Sequence, residues 1–273
     1  TAALNGIVGF KCTAAAVPTT GSVPLSPTLD TACALTRSVR DAIVAHEVLA
    51  ARPVVRSAAP LAGYRLAVAR SVMLDALDAT VARAFERTLS MLAARGARIT
   101  EVDLPELRDL ALMLASGGFV ASESYQWHRE LIAQRGDGYD PRVRTRIERG
   151  ALMKAWEYLQ LVHDRRQWIG RVSQALQGFD AVLSPTTPIV APPIAQVAPG
   201  AERDAEFFRV NALLLRNTTV VNSYDGCAIS IPCHAADELP VGLMIWSGAW
   251  CDDTVLNIAL QAEATLRHER PAA

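Results

Sequence analysis

The sequence holds 273 residues, 51% of them apolar, with a formal net charge of −1. That length and apolar fraction suit one large domain or two small ones around a sizeable core, and the near-neutral balance gives no basis for binding nucleic acid or an anionic membrane surface. No uninterrupted apolar run reaches about eighteen residues, so no membrane-spanning helix is expected. Lysine occurs only at Lys11 and Lys154; the arginine excess reads as coding bias rather than a phosphate-binding surface. Cys12, Cys33, Cys227, Cys233 and Cys251 are odd in number and lack C-x-x-C spacing, the usage of a reduced, cytoplasmic protein.

The first apolar stretch, Gly6-Ile7-Val8-Gly9-Phe10-Lys11, predicts a buried strand over 6–11, with β-branched and aromatic residues and glycines that allow close backbone approach. A proline- and glycine-rich turn follows at 21–27. A helix is expected over 35–49, closed by Pro53, then a surface connection at 52–60. A strand at 64–70, an amphipathic helix at 75–95 and a strand at 98–103 compose a β-α-β unit. Val81, Phe85, Leu89 and Leu92 share one face of that helix, and Gly96 stops it.

Residues 106–179 read as a mainly helical insert. Gly117-Gly118 breaks it before a helix at 119–134, and Gly136-Asp137-Gly138 with Pro141 marks a loop before one or two long helices over 143–178. A strand over 180–184 must stop at Ser184, because the prolines of Pro185-Thr186-Thr187-Pro188 cannot donate to a ladder. Residues 199–205 form a polar surface loop. Strands at 227–232 and 241–246 and a helix over 253–266, capped by Asp252-Asp253, complete the chain. The fold class is α/β, a mixed β-sheet covered by helices. There is no internal repeat and no low-complexity segment.

Three blocks near the start resemble the amidase signature family. Ala2-Ala3-Leu4-Asn5-Gly6-Ile7-Val8-Gly9-Phe10-Lys11 falls on the P-A-[AS]-[FL]-[CN]-G-[VI]-x-G-[LF]-K segment after its first proline. Pro24-Leu25-Ser26-Pro27-Thr28-Leu29-Asp30 falls on P-L-S-x-S-L-D, and Thr36-Arg37-Ser38-Val39-Arg40-Asp41-Ala42 on A-R-[ST]-V-x-D-A. Two blocks near the end agree. Ala181-Val182-Leu183-Ser184-Pro185-Thr186-Thr187-Pro188 matches the family's strand and turn, and Gly226 to Met244 matches its closing pattern, with Cys227 where proline is common. Glu123-Ser124-Tyr125-Gln126-Trp127-His128-Arg129 is similar to the free-standing members.

The resemblance implies hydrolysis of a carboxamide to a carboxylic acid plus ammonia or amine, with no metal or organic cofactor. In the family a lysine deprotonates a serine held by a cis peptide, and that serine activates the nucleophilic serine. The register places all three ahead of Thr1, so the chain matches the family's C-terminal part as one domain over 1–273. The isolated 273 residues are then expected to be inactive and to need the missing N-terminal part of the same protein. A homodimer is also implied. Two alternatives stay open: a glutamine-dependent amidotransferase A-type subunit working with partner chains, or a non-catalytic interaction subunit.

No catalytic residue is assigned within the chain. Ser22 and Ser26 sit in the turn-rich segment, where serine usually caps or turns. Lys11 is expected to pair with a carboxylate or a carbonyl. His46, His128, His163, His234 and His268 have neither metal-ligand spacing nor a nucleophile motif nearby, and no metal is expected. The substrate-binding candidates are Thr186 and Thr187, just past a strand's C-terminal end, whose hydroxyls either contact substrate or cap the next turn. Tyr125 and Trp127 are two apart on a helix and cannot face the same way, so at most one lines the pocket. Cys227, with Asp225 beside it, is a weaker candidate. The 25–30 loop is expected to help shape the site.

Overall fold

In the computed structural model, residues 1–267 are described; His268 lies outside them. Among the described residues seven strands form one sheet in the order β2-β1-β6-β7-β5-β3-β4. They are β1 Val8–Lys11, β2 Leu35–Thr36, β3 Arg65–Ala69, β4 Arg98–Val102, β5 Ala181–Pro185, β6 Cys227–Pro232 and β7 Gly242–Ser247. β3 runs parallel to β4 and β5. Every other pair is antiparallel, so the sheet is mixed. The parallel step from β3 to β4 is carried by helix α2 (Ala79–Ala94), the β-α-β unit read from the sequence.

Side-chain alternation gives the sheet two different faces. Leu66, Val68, Leu183, Ile229, Ile231, Leu243 and Ile245 lie on one face. They share a continuous apolar core with Val39 and Ile43 of α1 (Val39–Leu49), Phe85 and Leu92 of α2, and Val255, Leu256 and Ile258 of α9 (Asp252–Arg267). Each fully buried side chain of this kind contributes about 1.5–3 kcal/mol. The other face carries smaller and polar residues, including Ala67, Ser184 and Ser230, beside Met244 and the buried Trp246.

Two compact units divide the chain. The sheet and these helices belong to Thr1–Pro18, Thr31–Leu104 and the chain from Leu176, with the short α7 (Ile194–Val197) and α8 (Asp204–Ser223). The second unit is Thr19–Asp30 with Pro105–Ala175. It holds α3 (Asp109–Met113), α4 (Gly118–Arg135), α5 (Pro141–Glu148) and α6 (Ala155–Ala175). Leu29, Phe119 and Leu161 form one buried cluster in it. Trp168, wholly buried, donates its indole N–H to the Glu106 carbonyl at 2.7 Å. Gly150 is required here, because a Cβ at that position would collide with the backbone oxygen of Ala121 on α4.

Several element boundaries depart from expectation. α1 begins at Val39 rather than 35, because Ser38 caps it by accepting from the Asp41 N–H, and Leu35–Thr36 pairs instead with Gly9 and Val8. α2 begins at Ala79, with Asp78 accepting from the Thr80 N–H. β5 continues through Pro185, one residue past the expected stop. On the β3 side pairing ends at Leu183, so the missing N–H of Pro185 costs no bond there, and Pro185 pairs only with Leu243 of β7. Pro141 starts α5 behind the Asp140 cap rather than sitting in a loop. α8 has no counterpart among the expected elements: Asn217 and Ser223 are buried on it and break the apolar stripe that would have announced it.

Candidate functional site

In the helical unit, the 24–30 segment is folded back on itself. The Ser26 carbonyl accepts from the N–H groups of Leu29 and Asp30 at 2.8 and 2.7 Å. The Asp30 carboxylate accepts from those of Leu25 and Ser26 at 2.9 and 3.0 Å. This turn presents the wholly buried Ser26 hydroxyl and both donors of Thr28 to one acceptor, Glu123 of α4. Glu123 Oε2 accepts from Ser26 Oγ at 2.6 Å and Thr28 N at 3.1 Å. Its Oε1 accepts from Thr28 Oγ1 at 2.5 Å and from the Tyr158 hydroxyl of α6 at 2.6 Å. Burial alone would raise the Glu123 carboxyl, but these donors outweigh it and hold the group below its ordinary value. The same burial, with the carboxylate as partner, pushes the Tyr158 phenol up.

Beside this carboxylate lies an open cleft of about 480 Å³, within the usual range of about 300–1,000 Å³ for small-molecule sites. Pro27 and Thr28 form one wall, Ser122, Glu123 and Gln126 of α4 another, and Gly150, Met153, Lys154, Ala155 and Tyr158 the rest. Tyr125 is half-buried, and a Cβ on the lining residue Gly150 would fall 2.7 Å from its own Cβ. Trp127 is 44% exposed, with its ring edge-on to His128 at 4.5 Å. Neither Tyr125 nor Trp127 is among the cleft's lining residues. In the sequence Glu123 stands within a family-like stretch but has no evident role. A signal for it was there: Ser26 and Thr28 bring three donors into one turn, and a buried turn of that kind needs an acceptor.

In the sheet unit, Thr186 and Thr187 are buried at the end of β5. The Thr186 N–H donates to the Gly242 carbonyl at 2.8 Å, and its hydroxyl pairs with that of Ser230 at 2.7 Å. Thr187 donates to the Ile189 carbonyl at 3.0 Å. Asn217 of α8 donates to the carbonyls of Pro185 and Met73, at 2.8 and 3.1 Å, and so fixes the turn from below. The Ser184 hydroxyl and the Trp246 indole nitrogen are buried with no partner among the described residues.

Cys227 is wholly buried, and its Sγ lies 3.5 Å from the Gly248 carbonyl. Burial pushes this thiol well above its ordinary range. It is a neutral packing group rather than a nucleophile. Lys11 donates to the carbonyls of Gly226 and Cys12, at 2.6 and 3.1 Å, and burial lowers its pKa. Asp252 accepts from Thr13 N at 2.8 Å and Thr13 Oγ1 at 2.5 Å. His46 is a core histidine set edge-on to Phe10, with its pKa lowered by burial. Among the described residues no group of three or more acidic, His or Cys side chains could hold a metal ion, and no helix is long and apolar enough to cross a membrane.

The family model for amidases matches residues 2–256. A 2-amino-5-chloromuconic acid deaminase of Comamonas testosteroni is 29% identical over 269 residues, a match that takes in 97% of this chain and 57% of that protein. An indoleacetamide hydrolase of Agrobacterium vitis is 30% identical, with 97% and 60% covered. The A-type subunit of a glutamyl-tRNA(Gln) amidotransferase of Salinispora tropica is 28% identical, with 99% and 62% covered. A crystal structure of an amidase superposes with a TM-score of 0.83 at 28% identity, covering 97% of this chain and 59% of that one. The chain thus spans about three-fifths of the length of the curated relatives it matches. With its mixed seven-stranded sheet and its motif blocks at both ends, the chain belongs to the amidase signature family.

Proposed function

We propose that the protein carrying this chain hydrolyses a carboxamide to a carboxylic acid plus ammonia or amine. The observation that carries this reading is the amidase match running from residue 2 to residue 256, which takes in the motif blocks at both ends and the helical segment between them. An indoleacetamide hydrolase among the relatives acts, by its name, on a carboxamide.

In this reading a serine hydroxyl adds to the amide carbonyl, the C–N bond breaks, and the departing nitrogen takes a proton. Water then cleaves the resulting ester and frees the acid. The serine and its Ser–Lys relay precede Thr1 in the motif register, so residues 1–273 alone are expected to be inactive. The chain's own contribution is substrate binding. In the helical unit the cleft beside Glu123 receives substrate, with Tyr125 backing it at Gly150. In the sheet unit Thr186 and Thr187, whose hydroxyls pair with Ser230 and the Ile189 carbonyl, hold the turn after β5 in shape. Trp127, on the surface, and Cys227, closed off in the core, are left out. A cytoplasmic location and a homodimer belong to the same proposal.

Ammonia release by the full-length protein from a panel of aryl- and alkyl-acetamides tests the activity. Turnover at enzymic rates is expected. A protein inert towards every simple amide, yet active on glutamine once partner subunits are added, would favour the amidotransferase reading that the Salinispora relative supports.

A further inference from the structure

Glu123 does not behave as a ligand group left waiting for substrate. A carboxylate has about four acceptor sites, and here four donors fill them: Ser26 Oγ, Thr28 N, Thr28 Oγ1 and the Tyr158 hydroxyl. The carboxylate and its donors belong to three separate pieces of chain. Ser26 and Thr28 lie on the 24–30 turn, Glu123 on α4 and Tyr158 on α6. Thr28, Glu123 and Tyr158 all line the cleft, with Pro27 between the two gripped residues of the turn. The turn has its own internal bonds through Asp30 and the Ser26 carbonyl. These fix its shape but do not attach it to α4 or α6. Among the described residues the hydrogen bonds that attach the turn to α4 end on this carboxylate, and Tyr158 of α6 meets both the carboxylate and Thr28.

We infer that Glu123 is a positioning residue for substrate, clamping the 24–30 turn against α4 and α6 so that the cleft keeps its walls. This rests on the amidase reading for what the cleft binds, but not for the clamp itself. Glu123 holds the walls and not the reacting amide bond, so its loss weakens ground state and transition state alike. That pattern raises KM and leaves kcat nearly unchanged. The identity of the replacement also matters. In E123Q the amide oxygen can still accept from Ser26 Oγ and Thr28 N, while the new NH2 group donates to Thr28 Oγ1 and Tyr158 OH, both of which can accept. In E123A all four donors lose their acceptor, and the Thr28 N–H has no alternative within the clamp.

The test pairs kinetics with hydrogen exchange on the full-length protein carrying E123A, E123Q or Y158F. The expected result for E123A is a KM raised about tenfold or more with kcat within about threefold, together with lost amide protection across 24–30. E123Q is expected to recover most of both, and Y158F, which removes one donor of four, to show a smaller KM increase and an intact turn. Should E123A fail to fold, Y158F and S26A carry the same split. An unchanged KM in an active protein, or a kcat loss that E123Q does not recover, would overturn the positioning role. Exchange across 24–30 that is the same in wild type and E123A would overturn the clamp. If the wild-type protein cleaves no amide, the amidase reading fails, and the exchange measurement still decides the clamp.

Discussion

The two units of this chain are stabilised differently. The sheet unit is organised by repetition: alternating residues on five adjoining strands feed one apolar core under α1, α2 and α9, and no one polar contact dominates it. In the helical unit Leu29, Phe119 and Leu161 form one small buried cluster, and Leu107, Leu110, Ile147, Trp168 and Val172 are buried as well. To this burial it adds particular contacts, namely the Glu123 clamp, the Trp168 hydrogen bond and the close approach at Gly150. Distributed burial tolerates loss at any one site in proportion to the area removed. A single hub concentrates the loss.

The sharpest way to break the sheet unit is therefore a large cavity. Ile245→Ala, at a wholly buried position on β7, is expected to cost about 2–5 kcal/mol, read as a lower denaturation midpoint. In the helical unit the matching disruption is Gly150→Ala. The added methyl must displace the Ala121 carbonyl on α4, at about 1–3 kcal/mol for overpacking. Thermal unfolding followed by exchange in α4 would show it, and an unaffected α4 would deny the close approach.

Asp252→Ala in the sheet unit leaves the buried Thr13 N–H and hydroxyl without their acceptor, at about 1–3 kcal/mol. It should cost less than the Ile245 cavity. Acid sharpens the contrast further. The Glu123 carboxyl is held below its ordinary 4.5 in the fold. The clamp's contribution is thus fully present above that ordinary value and is lost as pH falls through the lowered one. Exchange across 24–30 should rise over that acid range in wild type and show no such step in E123Q. The smallest effect is expected on the surface: Arg52→Ala removes an exposed pair with Asp253 and should cost less than about 1 kcal/mol.

How much of this was legible depends on the same contrast. All seven strands except the two-residue β2 could be placed from apolar alternation and turn residues, because the sheet's stability is itself periodic. β2 was absorbed into a helix, since Leu35-Thr36 lies only three residues ahead of Val39 and the Ser38 cap is a side-chain event. α8 was missed because its buried face is partly polar, with Asn217 turned towards backbone carbonyls. The candidate site was least legible. Thr186 and Thr187 were named from their place after a strand. Ser26 and Tyr158 lie 97 and 35 residues from Glu123 along the chain, and no local spacing announces that three such groups meet. Tyr125 and Trp127 stood out by size, whereas the contacts of α4 to the cleft come from the small and polar residues around them.

The most direct test of the central claim is to label the nucleophile covalently. The full-length protein would be treated with a serine-directed carbamoylating or phosphonylating probe, and the modified residue located by peptide mass spectrometry. The account predicts a single labelled serine preceding Thr1, protected by an amide substrate, with no modification at Ser22, Ser26 or Ser184. A label within residues 1–273 that tracks loss of activity would place the nucleophile inside this chain and contradict the account.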